Sequence, residues 1–256
     1  ITPAVAEYVA KLKLPGVYLR RESRRYYPTG EISAHIVGMT NIDGRGIEGV
    51  ERSFNEWLTS VTSERKVRKD RQGRIIENIG IVKEGKKAND LVLSIDQRLQ
   101  SLAYRSLKYA TEVNKATSGS LVLLDVVSGE VLAMVNTPSY NPNNRGQYQG
   151  FRARNRTVTD TYEPGSTVKP LVAVSALEHG VVNWKEIFDT RPFNIGGKRV
   201  TDSHRMAQGA LGDILKYSSN IGMAHIALRM PPQQILDTLT QFGFGSESGT
   251  GLMGES

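Results

Sequence analysis

The chain has 256 residues, 39% hydrophobic and 23% charged, which suits one large globular domain or two modest ones with a real core. It contains no cysteine, so a disulfide framework and a thiolate metal site are both excluded, while the periplasm is not. A formal net charge of +7 favours anionic partners, with nucleic acid, anionic lipid and an acidic polymer all admitted on charge alone.

The start, Ile1-Thr2-Pro3, carries neither an initiator Met nor a signal-peptide pattern, and no stretch reaches the roughly 18 apolar residues of a membrane span. The chain therefore reads as an excised soluble piece. Basic residues gather early, at Arg20-Arg-Glu-Ser-Arg-Arg25 and Arg65-Lys-Val-Arg-Lys-Asp-Arg71, and such runs are usually solvated strand and loop faces. Short alternating segments such as Ala34-His-Ile-Val37 and one helical stretch near Val50 to Leu58 describe a small, elongated α+β module. Within it, Gly44-Arg-Gly-Ile-Glu-Gly49 is a formal dinucleotide-binding fingerprint. Glu48 would stand where the pyrophosphate must lie, and no apolar parallel strand follows to complete a βαβ unit. The glycines read instead as a tight bend.

A polar run from Lys83 to Asp90 marks a domain boundary, placed near residue 88. Beyond it, Leu91 to Ile95 reads as a short strand. Gln97 to Val113 carries Leu99, Leu102, Ala103, Leu107 and Ala110 at helical spacing, which predicts a helix lying on a sheet. Ser120–Asp125 and Glu130–Val135 flank a turn at Val126-Val-Ser-Gly129, a hairpin signature. Both strands are nearly continuously apolar, so helices are expected on both faces of this antiparallel pair. Pro138 to Asp160 reads as an ordered loop, and Leu171 to Met230 as mostly helical.

The segment with chemistry is Glu163-Pro-Gly-Ser-Thr-Val-Lys-Pro170, followed by an apolar stretch to Gly180. Proline is tolerated in the first turn of a helix and glycine stops one, so a buried helix should run from about Ser166 to Gly180. A serine there has free backbone N–H groups and the positive end of the helix dipole beside it, both of which stabilise a developing alkoxide. Lys169, three residues on, shares its face. Partly desolvated, that lysine has a lowered pKa and can act as general base when neutral. A bare Ser-x-x-Lys is common, and Ser166 could simply cap the helix with Lys169 on its surface. The Pro-Gly lead-in, Pro170 and a second polar triplet, Ser218-Ser219-Asn220, interrupting a helical pattern, favour a cleft-lining site.

Together these motifs resemble the Ser-x-x-Lys and Ser-x-Asn of penicillin-binding proteins and serine β-lactamases. The similarity extends to class B transpeptidases of the division-specific FtsI type through Arg24-Arg-Tyr-Tyr-Pro28, Gly46-Ile-Glu-Gly-Val-Glu51, Asp70-Arg-Gln-Gly-Arg74, Ser94-Ile-Asp96 with Leu99-Gln100, Ser139-Tyr-Asn-Pro142 and Arg154-Asn-Arg-Thr157. It covers essentially the whole chain. The resemblance implies an α+β multidomain fold: an elongated non-catalytic pedestal at residues 1–88, then at 89–256 the first part of a penicillin-binding transpeptidase domain whose antiparallel sheet is covered by helices. It also implies Ser166 as nucleophile, Lys169 as base, Ser218 as proton relay and Asn220 as a ligand of the substrate's peptide. The substrate would be a D-Ala-D-Ala stem peptide of peptidoglycan, with β-lactams as mimics. Division proteins, including an FtsW-type glycosyltransferase, would be partners at the periplasmic face of the inner membrane, below a single-pass anchor upstream. The family's Lys-Thr-Gly is absent from this sequence, so an incomplete site is expected, with about 150 further residues following.

Two other classes compete. A non-catalytic scaffold would use the basic, aromatic Arg20 to Tyr27 stretch as a contact surface, although no recognised nucleic-acid fold or spaced aromatic motif accompanies the charge. A β-lactamase or penicillin sensor would not usually carry the pedestal. The histidines, His35, His179, His204 and His225, lack paired ligand spacing, so no metal and no cofactor is expected, and His179 should sit at a helix C-terminus.

Overall fold

In the computed structural model, residues 1–20, 24–144, 146 and 148–255 are described. Contacts group them into two compact units, one of residues 1–159 with Gly251–Gly254, the other of residues 160–250 with Glu255.

In the first unit, Thr2 caps helix α1 (Pro3–Lys11), whose proline occupies the first turn. The alternating Ala34–Val37 segment is not extended but a helical turn, α2, burying Ala34, His35 and Ile36. Four residues are too few for alternation to distinguish the two periods. Strands β1 (Met39–Thr40) and β2 (Gly46–Glu48) pair antiparallel. The helix expected over Val50 to Leu58 breaks at Phe54 into α3 (Gly49–Ser53) and α4 (Asn55–Leu58). The fingerprint glycines make close backbone approaches: a Cβ on Gly46 would fall 1.8 Å from the Glu51 carbonyl oxygen, and Gly49 adopts φ +56° with the Ile36 oxygen 2.5 Å from its Cβ position. No other residue fits either place, so the glycines serve the tight bend.

Strands β3 (Glu64–Lys69) and β4 (Ile75–Lys83) form an exposed antiparallel ribbon, so the second basic run is a solvated face. Of the first, residues 21–23 lie outside the described residues, while Arg25 pairs with the buried Glu51 at 3.2 Å. No strand forms at Leu91 to Ile95. The segment instead meets the hairpin through Ser94 Oγ, which donates to the Val131 carbonyl at 2.7 Å, and then gives way to Asp96. That aspartate caps α5 (Gln97–Val113) by accepting from the N–H groups of Arg98 and Leu99.

Helix α5 lies on the predicted hairpin, β5 (Gly119–Leu124) with β6 (Val131–Thr137). The two are locked by Gln100, whose fully buried amide donates to the Ile32 and Met134 carbonyls and accepts from the Met134 N–H. Consecutive buried residues from Ala133 to Thr137 mean that β6 is covered on both faces. Strand β5 is not: Val122 is 42% and Leu124 52% exposed, so the coverage expected of both strands is found on β6. Among the described residues of the Pro138 to Asp160 loop are two short helices, α6 (Gly150–Ala153) and α7 (Arg156–Thr159).

The second unit is built on α8 (Lys169–Glu178), ended by His179 as C-cap. Its core joins Ala173 and Ala176 of α8 to Phe188, Leu211, Ile214, Met223 and Ile226. Leu171 to Met230 is less helical than expected, because four three-residue strands lie between: β7 (Ile187–Asp189), β8 (Phe193–Ile195), β9 (Lys198–Val200) and β10 (Gln208–Ala210). β7 pairs with β10 and β8 with β9, and three residues carry too little periodicity to be read from sequence. Helices α9 (Leu211–Lys216), α10 (Asn220–Ala227) and α11 (Pro232–Gln241) complete the unit.

Candidate active site

All four predicted site residues fall in the second unit. Ser166 does not begin the α-helix; it lies in a 3₁₀ turn, Gly165–Val168, that leads into α8. The reason is Pro170: lacking an N–H, it cannot bond the Ser166 carbonyl, which accepts from the Lys169 N–H one residue earlier. The tight turn leaves Ser166 exposed at the mouth of α8.

Lys169, the first residue of α8, is only 9% exposed. Its ammonium donates to the Ser218 carbonyl at 2.6 Å, Ser218 Oγ at 3.0 Å and Asn220 Oδ1 at 2.7 Å. Burial lowers its pKa from the ordinary lysine value, and the negative charge of Asp202 acts in the opposite direction. The structure thus brings together Lys169, Ser218 and Asn220, from segments about fifty residues apart. No hydrogen bond joins the Ser166 hydroxyl to this group among the described residues.

The polar triplet is the expected corner between two helices. Ser218 has φ +54°, a left-handed conformation that a serine adopts at a cost. It is held there by its own N–H, which donates to the Leu215 carbonyl, and by that of Ser219, which donates to Ile214 at 2.8 Å. Ser219 caps α10, accepting from the Gly222 N–H at 2.9 Å. Asp202, which the sequence pattern did not reveal, closes the corner from the β9–β10 connection. Its carboxylate accepts from Ser219 Oγ at 2.5 Å and from the N–H groups of Asn220 and Ile221 at 2.6 and 3.1 Å. The Asn220 amide also donates to the Thr201 carbonyl at 3.1 Å. Nothing local in the sequence signals this, because Ser219 already serves as the helix cap and the aspartate arrives from 17 residues upstream.

Beside the corner opens a cavity of about 710 Å³ lined by Arg191, Arg199, Thr201, Asp202, Arg205 and Ile221, among others. Its basic rim suits an anionic ligand. Among the described residues, no three His, Cys, Asp or Glu side chains could together hold a metal ion.

Helix α10 must approach Ile214 closely to place Asn220 against Lys169. A Cβ on Gly222 would lie 2.5 Å from Ile214 Cγ1 and 2.6 Å from Cδ1, and Ile214 is itself fully buried. Gly222→Ala should therefore destabilise the fold by about 1–3 kcal/mol, overpacking outweighing the roughly 1 kcal/mol that alanine gains in helix propensity. Urea unfolding measures this, and an unchanged or raised midpoint would contradict it.

Known proteins are similar to this chain along its whole length. Residues 119–256 match the penicillin binding protein transpeptidase domain, and residues 3–93 the penicillin-binding protein dimerisation domain. The chain is 52% identical, over its whole length, to the peptidoglycan D,D-transpeptidase FtsI of Escherichia coli strain K12, covering 43% of that protein. It is 45% identical to the FtsI of Buchnera aphidicola subsp. Schizaphis graminum, again over its whole length and over 45% of the relative. It therefore spans less than half the length of these relatives. Among solved structures, penicillin binding protein 3 from Mycobacterium tuberculosis complexed with ampicillin is similar at a TM-score of 0.78 and 29% identity, over 92% of this chain and 50% of the other.

Proposed function

The chain belongs to the penicillin-binding protein transpeptidases, and from that premise we propose that it carries the nucleophilic half of a serine D,D-transpeptidase that cross-links peptidoglycan during septal wall synthesis. The observation that carries this function is the buried Lys169 ammonium, bonded to Ser218 and Asn220 one helical turn from an exposed serine.

In the first half-reaction, Ser166 Oγ attacks the carbonyl of the penultimate D-Ala of a stem peptide. Its proton passes to neutral Lys169, and the new O–C bond forms as the oxyanion takes a hydrogen bond from the Ser166 N–H, one half of the oxyanion hole. The C–N bond then breaks, and the leaving D-Ala nitrogen receives a proton through Ser218. In the second half-reaction an amine of a neighbouring strand attacks the ester, gives up a proton by the same route, and releases Ser166. Asn220 holds the substrate's peptide. General-base contacts commonly tighten only when substrate is bound, which accommodates a free site whose lysine faces Ser218 and Asn220. A β-lactam would follow the first half-reaction and stop at the ester.

In this reading residues 1–88 are the pedestal and 89–256 the transpeptidase part, a division supported by the polar Lys83–Asp90 run of the sequence and distinct from the two compact contact units, which divide after residue 159. Among the described residues no helix is long and apolar enough to cross a membrane. A single-pass anchor upstream would hold the protein at the periplasmic face of the inner membrane, with the pedestal meeting division proteins such as an FtsW-type glycosyltransferase.

The test is to incubate the full-length protein with fluorescent penicillin and map the adduct by peptide mass spectrometry. One label per molecule on the peptide containing Ser166 is expected. Absence of any covalent adduct would reject the enzyme in favour of a scaffold.

A further inference from the structure

We propose that Asp202 is a positioning residue for acyl transfer, its carboxylate clamping the Ser218–Asn220 corner onto Lys169 and setting the charge that the lysine experiences. The proposal rests on the function proposed above and adds to it a residue from outside the catalytic motifs.

The geometry is specific. One oxygen of Asp202 accepts from the backbone N–H groups of Asn220 and Ile221 at 2.6 and 3.1 Å, and the other from Ser219 Oγ at 2.5 Å. Three donors on consecutive residues thus converge on one side chain, at the point where the backbone leaves the left-handed Ser218. Such a residue relaxes unless its surroundings over-determine it. Without the carboxylate, the first N–H groups of α10 would have to find water, and the corner would lose the bonds that aim Asn220 Oδ1 and Ser218 Oγ at the ammonium. Hydrogen bonds to a charged acceptor are about twice as strong as neutral ones, which suits a part whose displacement by an ångström would misplace the catalytic contacts.

The second role is electrostatic. Among the described residues Asp202 is the charged side chain that acts on Lys169, and it favours the ammonium against the burial that disfavours it. The other side chains facing Nζ, Ser218 and Asn220, are neutral. Asp202 therefore favours the ammonium that forms when the lysine takes up the serine proton, while burial favours the neutral form that accepts it.

Asp202→Asn separates these roles from bulk stability, because asparagine is nearly isosteric and its amide oxygen can still accept from two N–H groups. In the full-length protein, acylation by penicillin is followed by stopped flow from pH 5 to 10. For Asp202→Asn the plateau rate should fall about 10- to 100-fold, the equivalent of one charge-assisted contact. The acid limb, which reports neutralisation of Lys169, should move to lower pH because the counter-charge is gone. Either an unmoved limb or an undiminished plateau overturns the proposal. Should the Asn variant not fold, Asp202→Glu keeps the charge but displaces it, so its plateau should fall with the limb in place, and an undiminished plateau again overturns the idea. If wild-type protein forms no adduct, the proposed function fails instead, which the same experiment reveals separately.

Discussion

Ser166→Ala in the full-length protein should abolish covalent penicillin labelling and leave the unfolding midpoint unchanged. The two halves of this result have different causes. Ser166 is exposed in the 3₁₀ turn before α8, and its hydroxyl packs against nothing in the second unit's core, so its loss should change stability by less than about 0.5 kcal/mol. The turn itself depends on backbone bonds and on Pro170, both of which remain. The chemistry, by contrast, has no substitute atom. A water held by Lys169 could hydrolyse but could not form an ester, and removal of a catalytic serine costs on the order of a million-fold in rate. Persistent labelling would mean another nucleophile, and the mapped peptide would identify it. Loss of labelling together with a large fall in midpoint would mean that Ser166 acts structurally.

How much of this could be read beforehand depends on how local each cause is. Helix α5 and the β5–β6 hairpin were legible because seventeen and thirteen residues give a period room to repeat, and Asp96 and Gly129 punctuate them. The pairing of Lys169 with the Ser218–Asn220 corner was legible only as two separate polar interruptions in apolar helices, and the resemblance to a known family supplied the link. Strands β7 to β10 were not legible, since each spans three residues and its pairing partner is chosen by tertiary packing. Ala34–Val37 misled for the same reason. Asp202 was hidden most deeply: an aspartate in a loop is unremarkable until the fold brings three donors to it. At the Ser-x-x-Lys segment the local form differs from the helix start read from the sequence, for Pro170 tightens the turn at Ser166.

Lys169→Met should slow acylation by several powers of ten and yet leave the protein about as stable at neutral pH as before. Nucleophile and base act as a unit, so removing the base costs nearly as much as removing the serine. The stability half follows from the sign of the pKa shift. Lys169 has a folded pKa below the ordinary 10.5, so the unfolded chain binds its proton more tightly than the folded one. Below the folded pKa the wild-type protein therefore carries the full desolvation penalty, and the penalty fades as pH rises through the folded pKa toward the unfolded one. Methionine, similar in length and uncharged, removes that penalty. It also removes three hydrogen bonds, but their acceptors on Ser218 and Asn220 belong to exposed residues that water can reach. At pH 7 these opposing effects should leave the urea midpoint nearly unchanged, whereas at higher pH the wild type should gain on the variant. A variant that remains fully active would remove Lys169 from the mechanism, and one that unfolds at pH 7 would make it a structural ion. The pH at which wild type begins to gain on Lys169→Met should also coincide with the midpoint of the wild-type acylation limb, because both measure the loss of the same proton from the same nitrogen.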